Sequence, residues 1–436
     1  MTFDTLGLRP ALLARLAEQN LTQPTPIQTQ AIPEALAGRD VMGLAQTGTG
    51  KTFAFGLPIA DALLASQQRC APKSAQALIL APTRELAAQI HDTLSSVLTG
   101  AHLRLTLVVG GNSINVQSRK LEKGTHLLIA TPGRLIDLMD RGALKLDQVS
   151  HFVLDEADQM LDLGFIHALR RIARDLPSKR QTLLFSATMP KQMDEIARAY
   201  LNDPVRIQVA PPGKTADKIE QSVIFVETPK RIETLTGLLD DHRDELALVF
   251  CRTKHGAEKL SRKLDQAGFA VGAIHGNKSQ GQRNRALDSF RKGEMRVLVA
   301  TDVAARGIDI PDVRHVYNFD LPNVADNYVH RIGRTARAGR DGRAVSFCGI
   351  EEMADLRGIE KLIGQQIATL GGERPAEPSR GQRSAGGTGG GRGRPGGSKP
   401  AGSAGKPGGA RRPRGGRGRR SGGGGGGGRG KAHASA

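Results

Sequence analysis

The chain has 436 residues, more than one ordinary hydrophobic core accommodates, so two or three domains are expected. Aromatic residues make up only 3 % and Trp is absent, which excludes nucleic-acid binding built mainly on stacking platforms, while a formal charge of +19 favours a polyanionic partner. No apolar run approaches the roughly 20 residues of a membrane-spanning helix, the opening MTFDTLGLRP lacks a signal peptide's basic and apolar regions, and Cys70, Cys251 and Cys348 are isolated, which predicts no membrane segment, a reducing cytoplasmic setting and no zinc site.

Along the chain, short runs of Val, Ile, Leu and Ala alternate with longer helical patterns, the signature of parallel α/β units. Strands are expected at 40–44, 77–81, 103–109, 126–130, 152–154 and 182–185, then at 246–250, 270–274, 296–300, 313–318 and 344–348. Between the two series VAPPGKTADKIEQ has the Pro-Pro-Gly of a linker. The predicted organisation is an N-terminal α/β domain over 1–208, a linker over 209–217, a second α/β domain over 218–370 and a tail over 371–436. The tail has no aromatic, Ile, Leu, Val or Met and holds 15 Lys or Arg against two Glu, so it carries +13 of the +19 and cannot bury a core. A disordered, basic, Arg/Gly-rich extension is predicted there.

GLAQTGTGKTFAF follows the strand at 40–44 and opens a helix, the context of a phosphate-binding P-loop. Ala45 replaces the pattern's first Gly, and Gln46, Thr47, Gly48, Thr49 and Gly50 complete a loop in which Gly48 and Gly50 permit a tight wrap around phosphates. Lys51 is expected to reach the β- and γ-phosphates of ATP and the Thr52 hydroxyl to ligate Mg²⁺. Three strands then end alike, LILAPTREL, LLIATPGRLI and VLVATDVAARG, each running into Thr with Arg following where a helix begins. Helix N-termini at strand carboxyl ends offer unpaired N–H groups to anions. Thr and Pro also punctuate helix starts for purely structural reasons, but the repetition in a basic protein favours three phosphate-holding corners.

HFVLDEADQML crowds Asp155, Glu156 and Asp158 into four residues after an apolar run. Carboxylates this close repel one another unless cations or donors share the site. In a chain with a P-loop, Asp155 suits a second holder of Mg²⁺ and Glu156 a base that orients and deprotonates the attacking water; alone, the same letters describe an acidic helix start favoured by the macrodipole. Arg334 and Arg337 in HRIGRTARAGR share one helical face or one turn, and a basic surface turn is the alternative reading.

VLDEAD together with AQTGTGKT resembles the DEAD-box RNA helicases of superfamily 2, and FSAT, PTREL, TPGR, ATDVAARGID and YVHRIGRTARAGR follow in that family's order over roughly residues 1 to 370. MTFDTLGL, GFIHALRRI and IHGNKSQGQR are most similar to the bacterial RhlE group. The resemblance implies two tandem RecA-like domains and an RNA-dependent ATPase that unwinds short RNA duplexes or remodels RNA–protein complexes by closing its domains. It implies that Gln28 of PTPIQ reads adenine and that Phe3 packs on its ring, although a helix-start Gln and a core Phe would look the same. Arg334 and Arg337 become arginine fingers supplied across the cleft, with Gly307 and Asp309 completing that half of the nucleotide site. Ser186 and Thr188, joined by Asp158 and His330, couple nucleotide state to closure. RNA contacts are implied for Pro82, Thr83, Arg84, Gly110, Gly111, Thr131 and Arg134 in the first domain and for Arg283 and Thr301 in the second. They grip sugar and phosphate, so single-stranded RNA and short duplexes are the expected ligands with little sequence selectivity. A monomer is expected, and ribosome-assembly or RNA-decay complexes are the partners the resemblance suggests.

Two departures stand out. Asn20-Leu21 occupies the place of Gly and an aromatic, and Ala336 the place of a commoner Gly. The rival readings are a DNA translocase on the same fold and an ATP-independent RNA chaperone acting through the tail.

Overall fold

A computed structural model describes residues 1–45, 48–66, 68–189, 191–209, 219–305, 310, 312–336 and 341–375. Apart from Val209 the expected linker lies outside the described residues, and so does the expected tail from residue 376.

The described residues form two lobes, each around a seven-stranded sheet in which every pairing is parallel. The first contains β1 (Val41–Leu44), β2 (Ala75–Leu80), β3 (Leu105–Val108), β4 (Thr125–Ala130), β5 (His151–Leu154), β6 (Gln181–Ser186) and β7 (Val205–Gln208), in the order β3-β4-β2-β5-β6-β1-β7. The second contains β8 (Ile219–Phe225), β9 (Leu246–Phe250), β10 (Val271–Ile274), β11 (Val297–Ala300), β12 (Val313–Asn318), β13 (Gly342–Cys348) and β14 (Ala368–Gly371), in the order β10-β11-β9-β12-β13-β8-β14. Counted from each lobe's first strand the two orders are identical, so the lobes repeat one RecA-like plan. Only the first has a Gly-rich loop after its first strand; β8 runs instead into VETPKRIE.

Strand composition explains the layering. Ala77 and Ile79 of β2 join one buried cluster while Leu78 and Leu80 join another, and Val297/Val299 against Leu298/Ala300 divide β11 in the same way. Period-2 alternation between two apolar clusters is what a sheet covered by helices on both faces requires. Helix starts are specified locally: Thr83 accepts from Leu86 N at 3.2 Å ahead of Arg84–Leu98, and Thr253 from Gly256 N at 3.0 Å ahead of Lys254–Gln266.

Three strands escape the sequence pattern. In β7 (VRIQ) and β8 (IEQSVIF) polar residues interrupt the apolar run, and β14 (ATLG) is exposed at the sheet edge. The expected tail boundary at 371 therefore falls on the last residue of β14, and Arg374 pairs with Glu360 beyond it.

Candidate active site

The strand order explains why the motifs gather as they do. β5, β6 and β1 are adjacent, so the loops after them, carrying the three carboxylates, Ser-Ala-Thr and the P-loop, meet at one half of the sheet's carboxyl edge. β3, β4 and β2 are adjacent on the other half and bring together Gly110–Gly111, Thr131 and Pro82–Arg84.

At the first half Lys51 begins the helix Lys51–Ser66 and is 5 % exposed; its Nζ lies 3.7 Å from Asp155 Oδ1 and has no hydrogen-bond partner among the described residues. Gly48 and Gly50 both take left-handed backbone (φ 86° and 91°), and a Cβ at Gly50 would stand 2.4 Å from Gln28 Nε2. Ala45 is buried and bonded through its N–H to Ser186 O at 2.9 Å, and Thr49 and the half-buried Thr52 follow in the loop and helix. Gln46 and Thr47 lie outside the described residues.

Asp155, Glu156 and Asp158 are all buried, at 2 %, 1 % and 3 % exposure, so they are not a solvated acidic face. Burial pushes the Asp155 carboxyl up to about 6, with Glu156 and Asp158 adding to the rise and Lys51 opposing it. A buried carboxylate under this strain beside an unsatisfied ammonium fits a site for a divalent cation and phosphate, with Thr52 and Asp155 as the residues to hold Mg²⁺. Glu156 sits in left-handed backbone (φ 51°, ψ 51°), a conformation costing a non-glycine residue about 1–2 kcal/mol. Strain of this kind persists where the surroundings fix a side chain for a purpose.

Asp158 has the opposite electrostatics. Burial alone would raise its pKa, but His330, Lys51 and the bonds from Thr188 outweigh that and hold it below the ordinary range. Its Oδ2 accepts from Ala187 N (3.1 Å), Thr188 N (2.8 Å) and Thr188 Oγ1 (2.9 Å), while Ser186 Oγ donates to Thr188 O at 2.7 Å. His330 of the second lobe brings Nε2 to 3.7 Å from the same carboxylate oxygen. One oxygen thus joins the segment after β5, the segment after β6 and the other lobe.

Arg334 is 4 % exposed and lies in the turn beyond the helix Ala325–Ile332, its Nε donating to His330 O at 3.1 Å. Arg331, one helical turn from Tyr328, is clamped by both Asp302 carboxylate oxygens at 2.5 and 2.8 Å. Gly307, Asp309 and Arg337 lie outside the described residues. Both departures from Gly fall on left-handed backbone: Asn20 at φ 58° and Ala336 at φ 55°. Asn adopts this conformation at little cost, Ala at about 1–2 kcal/mol. Ala336→Gly is therefore expected to stabilise the second lobe by up to about 1 kcal/mol, after the extra freedom of unfolded Gly is subtracted, measurable as a shifted midpoint in denaturant unfolding.

On the other half of the edge the Arg84 guanidinium lies over Gly110 and Gly111: a Cβ at Gly111, whose φ is +86°, would stand 2.4 Å from it. Thr131 precedes the helix Pro132–Asp140 and is buried, and Arg134 on that helix donates to Asn112 O at 2.8 Å. Thr83 and Pro82 are buried, and Thr301 closes β11 at 9 % exposure. Across the lobes Arg283 pairs with Glu85 at 3.0 Å, while Gln280 donates to Glu85 at 2.9 Å and accepts from Arg84 at 3.3 Å. Sequence reasoning selects Arg283 but misses Glu85 and Gln280. Their only signal is that PTREL and QGQR each set a polar partner one or three residues from the chosen Arg.

Gln28 is 3 % exposed; its Oε1 accepts from Thr25 N at 2.9 Å and its Nε2 donates to Gly50 O at 3.0 Å. It is a helix-start residue and a P-loop contact at once. Phe3 is 4 % exposed and packs within the first lobe's core.

Known proteins share this arrangement. The family model described as DEAD/DEAH box helicase matches residues 25–196, and the Helicase conserved C-terminal domain matches residues 230–339. The DEAD-box ATP-dependent RNA helicase CshA of Bacillus cereus is 43 % identical over 88 % of this chain and 72 % of its own length, and that of Bacillus subtilis 42 % identical over 84 % and 73 %. Among solved structures, S. cerevisiae Dbp5 bound to RNA and ADP BeF3 aligns with a TM-score of 0.76 at 33 % identity, covering 85 % of this chain and 95 % of that one. Mss116 bound to ssRNA and UDP-BeF aligns at 0.79 with 29 % identity over 86 % and 81 %. These relatives bear the CshA name, and the finer resemblance to the RhlE group finds no support in them.

Proposed function

This chain belongs to the DEAD-box ATP-dependent RNA helicases, and from that premise we propose how its residues divide the work. The protein is an RNA-dependent ATPase that closes its two RecA-like domains to unwind short RNA duplexes locally and to remodel RNA or RNA–protein complexes. Lys51 and the P-loop bind the β- and γ-phosphates, Thr52 and Asp155 hold Mg²⁺, and Glu156 takes the proton of the attacking water. Mg²⁺ when bound neutralises charge on the phosphates. Arg334, with Arg337, reaches the γ-phosphate from the second domain, while Gly307 and Asp309 complete that half. Pro82, Thr83, Arg84, Gly110, Gly111, Thr131, Arg134, Arg283 and Thr301 hold one strand by its backbone. The division of the chain at about 209–217, with the basic tail from 371 as an RNA tether, belongs to the same proposal, as does a cytoplasmic location.

The observation that carries the assignment is the Asp158 carboxylate, which accepts from Thr188 and stands 3.7 Å from His330. A site needing both lobes turns over only when they meet, and Glu85–Arg283 and Arg84–Gln280 tie the RNA-facing residues to the same closure. ATPase stimulation by single-stranded RNA and by DNA of the same sequence tests the reading: RNA should stimulate strongly and DNA little. Equal stimulation would favour the translocase alternative.

Gln28 supports adenine preference through its hold on the P-loop backbone at Gly50. Gln28→Ala removes one hydrogen bond to the loop and the amide that matches adenine, so the ratio of kcat/KM for ATP over GTP should fall by about tenfold. Parallel ATP and GTP hydrolysis curves measure it; an unchanged ratio would contradict adenine readout.

A further inference from the structure

Away from the cleft, the opposite end of the second sheet carries a side-chain cluster that neither ATP nor RNA chemistry uses. His242 and Glu245 lie on the turn between the helix Arg231–Asp240 and β9, fixed by a 3.0 Å bond from Glu245 N to His242 O. His315 is the third residue of β12 and registers with Ala247 of β9, which brings it beside Glu245. Its Nε2 is 2.5 Å from Glu245 Oε2, and His242 Nδ1 is 3.8 Å from the same oxygen. One ligand atom from each residue lies within 4.8 Å of the others, and among the described residues this is the only such group of three.

The three residues line an open pocket of about 650 Å³ whose other charged members are Glu220, Arg314, Asp341 and Arg343. Both cations are engaged: Arg343 donates to Glu220 at 2.9 Å and Arg314 to the Asp341 carbonyl at 3.2 Å. Two imidazoles and one carboxylate form a donor set for borderline transition ions, whereas Mg²⁺ and Ca²⁺ select oxygen.

We propose that His242, Glu245 and His315 bind one Zn²⁺, with water completing a tetrahedral shell. The two rings are stacked with centroids 4.4 Å apart and nearly parallel, so one of them has to turn before both lone pairs reach a single ion. Binding requires this of His242, whose side chain is 32 % exposed and has room to rotate, and leaves His315, at 6 %, in place. The expectation of no zinc site followed from isolated cysteines; this cluster contains none, and His315 joins the other two only through strand pairing. The ion ties the turn before β9 to β12 and stabilises the second lobe without entering the reaction.

Titration of metal-free full-length protein with Zn²⁺ against a chromophoric chelator, paired with Co²⁺ absorption spectra, tests the site. One Zn²⁺ per chain and tetrahedral Co²⁺ bands are expected. Binding should weaken by at least about tenfold in both His242→Ala and Glu245→Gln, taking the smallest loss typical of removing a supporting residue. RNA-stimulated ATPase should be unchanged in both variants, which reports their folding; His242 is half-exposed, and Gln at 245 retains an acceptor for His315. No saturable binding by the unmodified protein, or binding undiminished in the variants, overturns the proposal.

Discussion

Arg334→Ala is expected to lower RNA-stimulated ATPase by about 10³-fold or more, the loss seen when an arginine finger is removed from related phosphoryl transfer. Arg334 follows the helix that presents His330 to Asp158 and is held to the His330 carbonyl at 3.1 Å, so the two residues enter the cleft together. Its contribution belongs to the closed arrangement, because the P-loop that binds ATP lies in the other lobe. ATP affinity without RNA should therefore barely change, and equilibrium binding of a fluorescent ATP analogue alongside steady-state turnover separates the two effects. A variant that keeps ATPase near the parent level would remove Arg334 from the reaction.

Glu156→Gln should reduce turnover by about 10²- to 10⁴-fold while preserving ATP-dependent RNA binding. The amide keeps the size of the buried side chain and leaves Lys51, Thr52 and Asp155 untouched, but it cannot accept the proton of water. RNA affinity in the presence of ATP should be equal to or tighter than the parent's, because the closed state is no longer emptied by hydrolysis. Lys51→Ala supplies the contrast, since it removes the buried ammonium itself and weakens nucleotide binding. Single-turnover hydrolysis and RNA binding with ATP, measured on both variants, distinguish loss of a base from loss of a phosphate ligand.

Much of this site was legible in letters alone because its chemistry is local. The P-loop needs φ > 0 glycines at fixed spacing, and Gly48 and Gly50 adopt that backbone; the DEAD run needs charges that repel in water, and all three carboxylates are buried. Strand order was not legible. Nothing in the composition of β5, β6 and β1 says that they are neighbours, yet that adjacency separates the half of the edge carrying the P-loop and the carboxylates from the half carrying Pro82–Arg84, Gly110–Gly111 and Thr131. The resemblance implied two RecA-like domains, but the strand runs themselves did not show the repeat, since the first strand of the second lobe, β8, is interrupted by Glu220, Gln221 and Ser222. Gln28 shows a different limit: a capping-box Gln and an adenine reader have the same spacing, and the structure shows the capping contact to Thr25 N and adds a bond to Gly50 O of the P-loop.

Turnover depends on closure of the two lobes around one ATP site, and the distance between them tests this most directly. Dyes can be attached at Val116 of the first lobe and Leu362 of the second, both exposed, after Cys70→Ser; Cys251 and Cys348 are buried. Energy transfer between the dyes is predicted to rise only when RNA and a non-hydrolysable ATP analogue are both present, and not to rise in an Asp158→Ala variant that loses the contacts to Thr188 and His330. Full closure with either ligand alone, or no change when both are added, would contradict it.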